Sequence, residues 1–339
     1  MHKMRELSRY QFAGSAVSRR LVLGAAAAVV ASPARAEECR IGPPKHAQGP
    51  GVWLDMDQVE LDAAYDQSIY APLGGQIRAR IASTSEQVRT RLGAPQRLAY
   101  GPSEFERLDI YRTRRPRAPI FVYFHGGAWL RGSAKDSAFP AEMFVRAGAH
   151  FVVPDFIPIS AANGDLRVMA EQVRRAIAWT YANAATFGGD AEQLYIAGHS
   201  SGGHLCGVAL VTDWRNDFNL PETVVKGGLC ESGMYDLKAV RLSARSKYVK
   251  FTDQIEEEMS PQRHLDLIRA PVVVTYGTNE TPEFQRQSHD FVAAMKAAGK
   301  PVELIVAENF NHFETEESLG NPYGPNGRAA LALMKLAPA

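Results

Sequence analysis

The stretch GHSSGGH, residues 198–204, decides the fold, and it directly follows the apolar run QLYIA, residues 193–197. A tight turn needs one or two glycines, but not two serines between glycines with a histidine on either side. Residues 198–202 fit the pattern G-x-S-x-G, in which the glycines remove steric collisions around a sharply turned serine. We therefore predict a strand before Ser200, a helix from Ser201 and an exposed Ser200 hydroxyl. The alternative is a glycine-rich turn whose serines cap a helix.

Strand-like and helix-like segments alternate on both sides of this stretch, from about residue 96 onward. Continuous apolar strands separated by helices indicate a mostly parallel sheet that is covered on both faces. We expect helices over 166–187, from Ser201, near Glu283 and near Gly327, and we expect the first two strands to be neighbours. The strand-like segments are RLDIYR (107–112), IFVYFHGG (120–127), HFVVPDF (150–156), QLYIAGH (193–199), VVKGGLCES (224–232), PVVVTYG (271–277) and VELIVAE (302–308).

The first 36 residues have the pattern of an export signal. Arg19 and Arg20 precede an apolar run over 21–31, and the small-residue sequence Ala34-Arg35-Ala36 is typical of a cleavage site. The paired arginines favour a twin-arginine signal, with a Sec signal as the alternative and a retained amphipathic tail as a third. We predict a mature chain that begins near Glu37, in a bacterial periplasm or outside the cell.

Residues 37–95 are predicted to form a linker and N-terminal cap helices, and residues 96–339 the catalytic domain. Apolar residues at near-helical spacing predict helices over 56–72 and 85–92. These helices do not fit the strand–helix alternation, so they could cap the sheet as a partial lid. The polar stretch 241–264 could do the same.

Composition excludes several classes of function. The 38 basic and 37 acidic residues leave a net charge of +1, which provides no basic field for nucleic acid. No apolar run reaches the ~20 residues of a membrane span. The chain has no HExxH motif, Cys/His cluster, P-loop or dinucleotide fingerprint, so we predict no metal, no cofactor and a small-molecule substrate. Cys206 and Cys230 are interpreted as small buried residues, with a disulfide as the alternative.

The segment FHGGAW, residues 124–129, follows another predicted strand. Successive glycines allow main-chain N–H groups to point at a substrate oxygen. We expect the N–H groups of Gly127, Gly126 and Ser201 to form an oxyanion hole, while His125 supports the loop. Trp129 is expected to pack more than to contact substrate.

Two further segments follow strands and supply an acid and a base. Glu280 lies in YGTNETPEF just past a strand end, whereas its rival Glu283 falls where a helix begins. His312 lies in ENFNHFE and is expected on a loop. The order Ser200, Glu280, His312 is nucleophile, acid, base. We expect residues 65–72, which begin with Tyr65, to form one wall of the substrate pocket. Four other side chains are also expected in the pocket wall, namely Met234, Tyr235, Phe284 and Trp129.

These motifs together resemble the α/β-hydrolase superfamily, and within it the arylformamidase and HGGxW carboxylesterase group. The resemblance rests on HGGAW (125–129), GHSSGGHL (198–205), SGMYDL (232–237), Ser260-Pro261, TPEFQRQ (281–287) and NHF (311–313). It implies a mostly parallel sheet with helices on both faces and a small N-terminal helical cap. It also implies a serine hydrolase that acts on esters or on N-formyl aryl amides.

We therefore expect an exported serine hydrolase that cleaves small, aryl or bulky apolar carboxylic esters through an acyl-enzyme on a Ser-His-Glu triad. The alternative is an arylformamidase acting on N-formyl aryl amides such as N-formylkynurenine. Export favours the ester, because arylformamidases of tryptophan breakdown work in the cytoplasm. A non-catalytic binding module of the same fold is the alternative of another class, and it would require an incomplete triad or a blocked oxyanion loop.

Overall fold

Eight strands, the seven predicted and the short polar β1 (Gln96–Ala99), pair into one sheet in the computed structural model, which describes residues 49–338. The predicted signal peptide therefore lies outside the described residues, which all belong to one compact unit, Ile41–Ala339. The strand order is β1-β2-β4-β3-β5-β6-β7-β8. The strands are β1 (Gln96–Ala99), β2 (Arg107–Tyr111), β3 (Ala118–Phe124), β4 (His150–Pro154), β5 (Gly189–His199), β6 (Gly227–Glu231), β7 (Val272–Gly277) and β8 (Val302–Ala307).

Parallel pairing runs from β4 through β8, while β1 and β2 are antiparallel additions at one edge. The mostly parallel sheet predicted from the sequence is thus confirmed. The expectation that the segments at 107–112 and 120–127 are neighbours is wrong, since β4 lies between β2 and β3. The crossover from β3 through a helix returns the chain beside β3 as β4, and β2 pairs with the other edge of β4.

Helices cover both faces of the sheet, so alternate side chains of each central strand enter different cores. In β3, Ile120, Val122 and Phe124 pack in one core, and Phe121 and Tyr123 pack in the other. The helices are α1 (Gln58–Ala64), α2 (Gly74–Leu92), α3 (Ala141–Arg146), α4 (Leu166–Asn183), α5 (Ser201–Leu210), α6 (Trp214–Phe218), α7 (Lys238–Leu242), α8 (Asp253–Glu258), α9 (Pro282–Ala297), α10 (His312–Ser318) and α11 (Pro325–Leu333).

The segments before the sheet differ in detail from their prediction. The helix expected over 56–72 is the short α1 followed by a 3₁₀ turn at Gln67–Ile69, and the helix expected from Ser85 already begins at Gly74. Asp57 caps α1 with a capping box, which sets the start of that helix. Residues 241–264 hold α8 and short 3₁₀ turns. Within residues 49–338, no helix is both long and apolar enough to cross a membrane.

Candidate active site

Ser200 occupies a strained turn between β5 and α5, with φ 57° and ψ −120°. Left-handed φ is unfavourable for a residue with a side chain, and the turn is possible because the residues two positions before and after Ser200 are glycines. A Cβ at Gly198 would collide with the carbonyl of Gly202, and a Cβ at Gly202 would collide with that of Phe124. The Ser200 N–H also donates to the Glu231 carbonyl at 2.9 Å. The predicted strand end at His199 and helix start at Ser201 are confirmed.

Glu280 and His312 form a buried pair in which the imidazole Nδ1 lies 2.7 Å from Oε2 of the carboxylate. The other carboxylate oxygen, Oε1, accepts hydrogen bonds from Ser232 Oγ at 2.6 Å and from the Gly277 N–H at 2.8 Å. A carboxylate with both oxygens engaged can orient an imidazole and stabilise its charged form. Glu283 instead contacts Arg286 at 2.7 Å and accepts from the Tyr65 hydroxyl at 3.1 Å.

His312 lies on a helix and not on a loop, which corrects the sequence-based expectation. It is the first residue of α10, whose N-cap is Asn311. The Asn311 side chain accepts from the N–H groups of Phe313 and Glu314, and the Glu314 side chain accepts from the Asn311 N–H in return. This capping box holds the main chain of His312 in place.

Ser200 and His312 line the same cavity, which has a volume of about 630 Å³. Gly126 and Gly127 line it as well. The serine, the imidazole and the glycine loop therefore face one space, while the Glu280 carboxylate lies buried behind the imidazole.

The glycine loop passes close over the serine turn. A Cβ at Gly126 would lie 2.9 Å from the His199 carbonyl oxygen and 3.3 Å from the Ser200 Cβ. Gly127 has φ 117°, which favours glycine. Among residues 49–338, the N–H groups of Gly126, Gly127 and Ser201 donate to no main-chain acceptor. They are therefore free to bind a ligand oxygen.

His125 supports this loop from behind. Its Nδ1 lies 3.0 Å from the Gly126 carbonyl oxygen, and its ring stacks on Phe156 at 4.3 Å between centroids. Burial lowers the pKa of His125, which keeps the ring neutral. These contacts agree with a structural role.

The pocket wall is more polar than we expected. Tyr65 does line the cavity, but the other four predicted wall residues are buried in the core and do not line it. The sequence cannot distinguish a core aromatic residue from one in a pocket wall, because both are apolar and inward-facing. These four are Trp129, Met234, Tyr235 and Phe284. The charged side chains that line the cavity are Asp66, Arg78, Arg131, Asp136, Arg245 and Glu316.

Glu316 and His199 form a second titratable pair that sequence reasoning missed. Glu316 Oε2 lies 3.5 Å from His199 Nδ1, and its Oε1 accepts from the Tyr123 hydroxyl at 3.4 Å. Burial raises the pKa of Glu316 to about 7. Glu316 follows His312 by four residues on α10, so recognising that helix would have placed both on one face.

Ser232 and Arg245 were also missed. Ser232 was noted only as the first residue of SGMYDL, and its contact with Glu280 joins two strand ends that are 48 residues apart. Arg245 came from the polar stretch at 241–264, where nothing in the sequence separates it from the neighbouring surface charges.

Within residues 49–338, no three His, Cys, Asp or Glu side chains are arranged so that they could hold a metal ion. Cys206 and Cys230 are buried free thiols with their Sγ atoms 3.7 Å apart. These two cysteines therefore pack as small buried residues, as we interpreted them.

Known proteins of two kinds resemble this chain. Kynurenine formamidase of Danio rerio is 31% identical over 280 residues, which cover 79% of this chain and 93% of that protein. Esterase LipC of Mycobacterium tuberculosis is 28% identical over 223 residues, which cover 62% of this chain and 55% of that protein.

The fold has relatives among solved structures. The Pyrobaculum calidifontis esterase superposes with a TM-score of 0.61 at 19% identity, covering 80% of this chain and 98% of that one.

The BD-FAE family profile matches residues 108–227. This chain therefore belongs to the arylformamidase and carboxylesterase-like group of α/β hydrolases, the group that includes kynurenine formamidase.

Proposed function

We propose that this hydrolase cleaves carboxylic esters through an acyl-enzyme, with Ser200 as nucleophile, His312 as base and Glu280 as acid. One observation carries the proposal: a serine on a strained turn and an imidazole held by a buried carboxylate at 2.7 Å line one cavity. A serine hydroxyl is a weak nucleophile unless a neighbouring base takes its proton, and His312, which lines the same cavity, is the proposed base.

In the proposed reaction, His312 takes the Ser200 proton while the Ser200 oxygen bonds to the ester carbonyl carbon. The N–H groups of Gly127, Gly126 and Ser201 stabilise the oxyanion. His312 then gives the proton to the leaving alcohol as the carbon–oxygen bond breaks, and the acyl group stays on Ser200. Water then attacks the acyl carbonyl carbon while His312 takes its proton, and the bond to Ser200 breaks to release the carboxylic acid. Glu280 selects the imidazole tautomer throughout, because it accepts from Nδ1.

The second candidate is hydrolysis of N-formyl aryl amides by the same groups. It is favoured by the 31% identity to kynurenine formamidase along nearly all of that protein. The chemistry differs only in the leaving group, which would be an aromatic amine. A non-catalytic binding module has less support, because Ser200 and His312 line one cavity with the glycine loop and Glu280 contacts His312 from its buried side.

Export is part of the proposal and rests on residues 1–36 alone, which lie outside the described part of the chain. It is tested by expressing the full chain in bacteria and sequencing the N-terminus of the periplasmic product. A product that begins near Glu37 is expected. A full-length chain confined to the cytoplasm would contradict export.

The reaction class is tested with kcat/KM for the chain from residue 37 on a panel of small aryl esters and on N-formylkynurenine, with Ser200→Ala as the blank. Esters leading by about a hundredfold, or about 2.7 kcal/mol of barrier, would support the carboxylesterase. The formamide leading by as much would establish the arylformamidase instead. Turnover of neither substrate would remove both candidates.

A further inference from the structure

Arg245 is a charged side chain in the wall of the cavity that the proposed reaction does not use. It lies in a 3₁₀ turn, Ala244–Lys247, within the insertion between β6 and β7. It is only 7% exposed, yet it lines the same cavity as Ser200 and His312. The side chain is therefore withdrawn from bulk water, and its open side faces the site.

The guanidinium has only neutral partners. Nη1 donates to the Tyr248 hydroxyl at 2.9 Å, and Nη2 donates to the Tyr65 carbonyl oxygen at 3.3 Å. The buried Nε has no hydrogen-bond partner within residues 49–338, and over the same range no acidic side chain forms an ion pair with Arg245. A guanidinium has five N–H donors, so two protein hydrogen bonds leave it unsatisfied.

Aromatic rings surround this charge. The guanidinium carbon lies 5.3 Å from the Trp129 ring centroid and 5.8 Å from that of Tyr65. The Trp129 ring in turn packs edge-on against His204, four residues after Ser200, at 5.2 Å. Burial lowers the pKa of His204 to about 4, and the Arg245 charge contributes to that lowering. The guanidinium thus lies against two aromatic rings, one of which packs on the helix that begins after Ser200.

The acidic side chains of the same cavity are occupied elsewhere. Asp66 accepts from Ser68, Asp136 accepts from Ser133, and Glu316 accepts from Tyr123. A buried cation without an anionic partner is costly, and a ligand anion would remove that cost. The cation–π contacts with Trp129 and Tyr65 use the positive charge, but they leave the guanidinium N–H donors without an anionic acceptor.

We propose that Arg245 binds a carboxylate on the substrate, so that this enzyme acts on small esters or amides that carry a negative charge. The planar guanidinium fork matches the two oxygens of a carboxylate. This inference rests on the proposed function and narrows its substrate class: the scissile carbonyl lies at Ser200 while the carboxylate lies at Arg245. Arg245 is then a specificity residue and takes no part in proton transfer.

The test uses two esters that differ only in charge, meta-acetoxybenzoate and meta-acetoxybenzamide. The ratio of their kcat/KM values is measured for wild type and for Arg245→Gln. We expect wild type to favour the anion and Arg245→Gln to lower the ratio about tenfold or more, mainly through KM of the anion. Comparing ratios cancels the different chemical reactivity of the two esters.

Arg131→Gln is the matched control, because Arg131 lines the same cavity but is exposed. Removing a solvated charge should change the ratio less than about threefold. If the kcat/KM ratio falls equally in both variants, the preference comes from the overall positive charge of the cavity, and the proposal is overturned. An equal loss for both esters in Arg245→Gln would show a merely structural residue and overturn it too.

Two further measurements keep the proposal testable if Arg245→Gln does not fold. Benzoate should inhibit wild type more strongly than benzamide, and Arg245→Lys should retain part of the preference. Equal inhibition by the two compounds would overturn the inference. Ser200→Ala separates the two claims: if it still cleaves both esters, the proposed function fails, whereas an active wild type without anion preference refutes only the carboxylate site.

Discussion

The imidazole of His199 lies against the imidazole of His312, with 4.4 Å between the ring centroids and 46° between the ring planes. Burial lowers the pKa of His199 well below its ordinary value. His199 is therefore neutral at pH 7 and does not repel a positive charge on His312. The Glu280 carboxylate, 2.7 Å from His312 Nδ1, is the group that would stabilise that charge.

Replacing the serine should remove turnover without disturbing the fold. Ser200→Ala deletes the proposed nucleophile, and Ala at φ 57° adds no atom that could collide with the loop. We expect kcat to fall by about 10⁴ or more, leaving only the contribution of the oxyanion hole and binding. Steady-state kinetics together with a circular dichroism spectrum check this. Wild-type activity in a folded Ser200→Ala variant would refute the assignment.

The two rival carboxylates can be compared by one substitution at each site. Glu280→Gln should lower kcat by about 10³–10⁴, because the amide oxygen would take the place of Oε1, leaving an uncharged NH2 group facing His312 Nδ1 and favouring the wrong tautomer. Glu283→Gln should lower the melting temperature and change kcat only slightly, since Glu283 is buried against Arg286 and Tyr65. Kinetics and thermal melts of both variants decide between them. A larger loss of kcat in Glu283→Gln would reverse the assignment.

Glu316 should make the protein less stable as pH rises. Its folded-state pKa of about 7 exceeds the reference value of 4.5, so the folded state binds more protons between these pH values. Its contribution to the free energy of unfolding therefore falls as pH rises through this window, by about 3 kcal/mol in all. Glu316→Gln removes this cost, so we expect the variant to gain stability relative to wild type from pH 5 to pH 8.

Denaturant unfolding at the two pH values measures this difference, and Glu142→Gln is a control whose stability difference from wild type should not change between them. The hydrogen bond from Arg91 lowers the pKa of Glu142, so its stabilising effect is present at neutral pH and lost in acid. Glu142→Gln should therefore be less stable than wild type by the same amount at pH 5 and at pH 8, with the difference shrinking only below about pH 4.5. The same slope in both variants would contradict the burial of Glu316 as the cause.

The serine turn should not tolerate a side chain at its second glycine. Gly202→Ala places a Cβ against the Phe124 carbonyl, so main chain must shift and both stability and kcat should fall. Gly75→Ala in α2 is the matched control, because no atom lies within 4 Å of its added Cβ. Because Gly75 is in the first turn of α2 and its added Cβ meets no atom, that variant should be at least as stable as wild type. Thermal melts and kinetics of the pair check both expectations.

Periodicity and glycine spacing were enough to predict the parallel sheet and the serine turn. The apolar runs before Ser200 and around Val274 were predicted as strands because a strand that is buried on both faces has a continuous run of apolar residues. The position of His312 on α10 was not predicted, because its signal is the local Asn311–Glu314 capping box after a short polar loop. A capping box of four residues is a weak sign of a helix when it comes just after a long and clear strand pattern.

The sequence by itself determined seven of the eight strands, the serine turn and the glycine loop, because each is a short pattern of residues that are adjacent in the chain. Only the tertiary structure decided which polar side chains meet. Ser232 reaches Glu280, Glu316 reaches His199, and Arg245 lines the cavity. These contacts join separate elements, and their partners depend on strand order and helix packing, which no local pattern specifies.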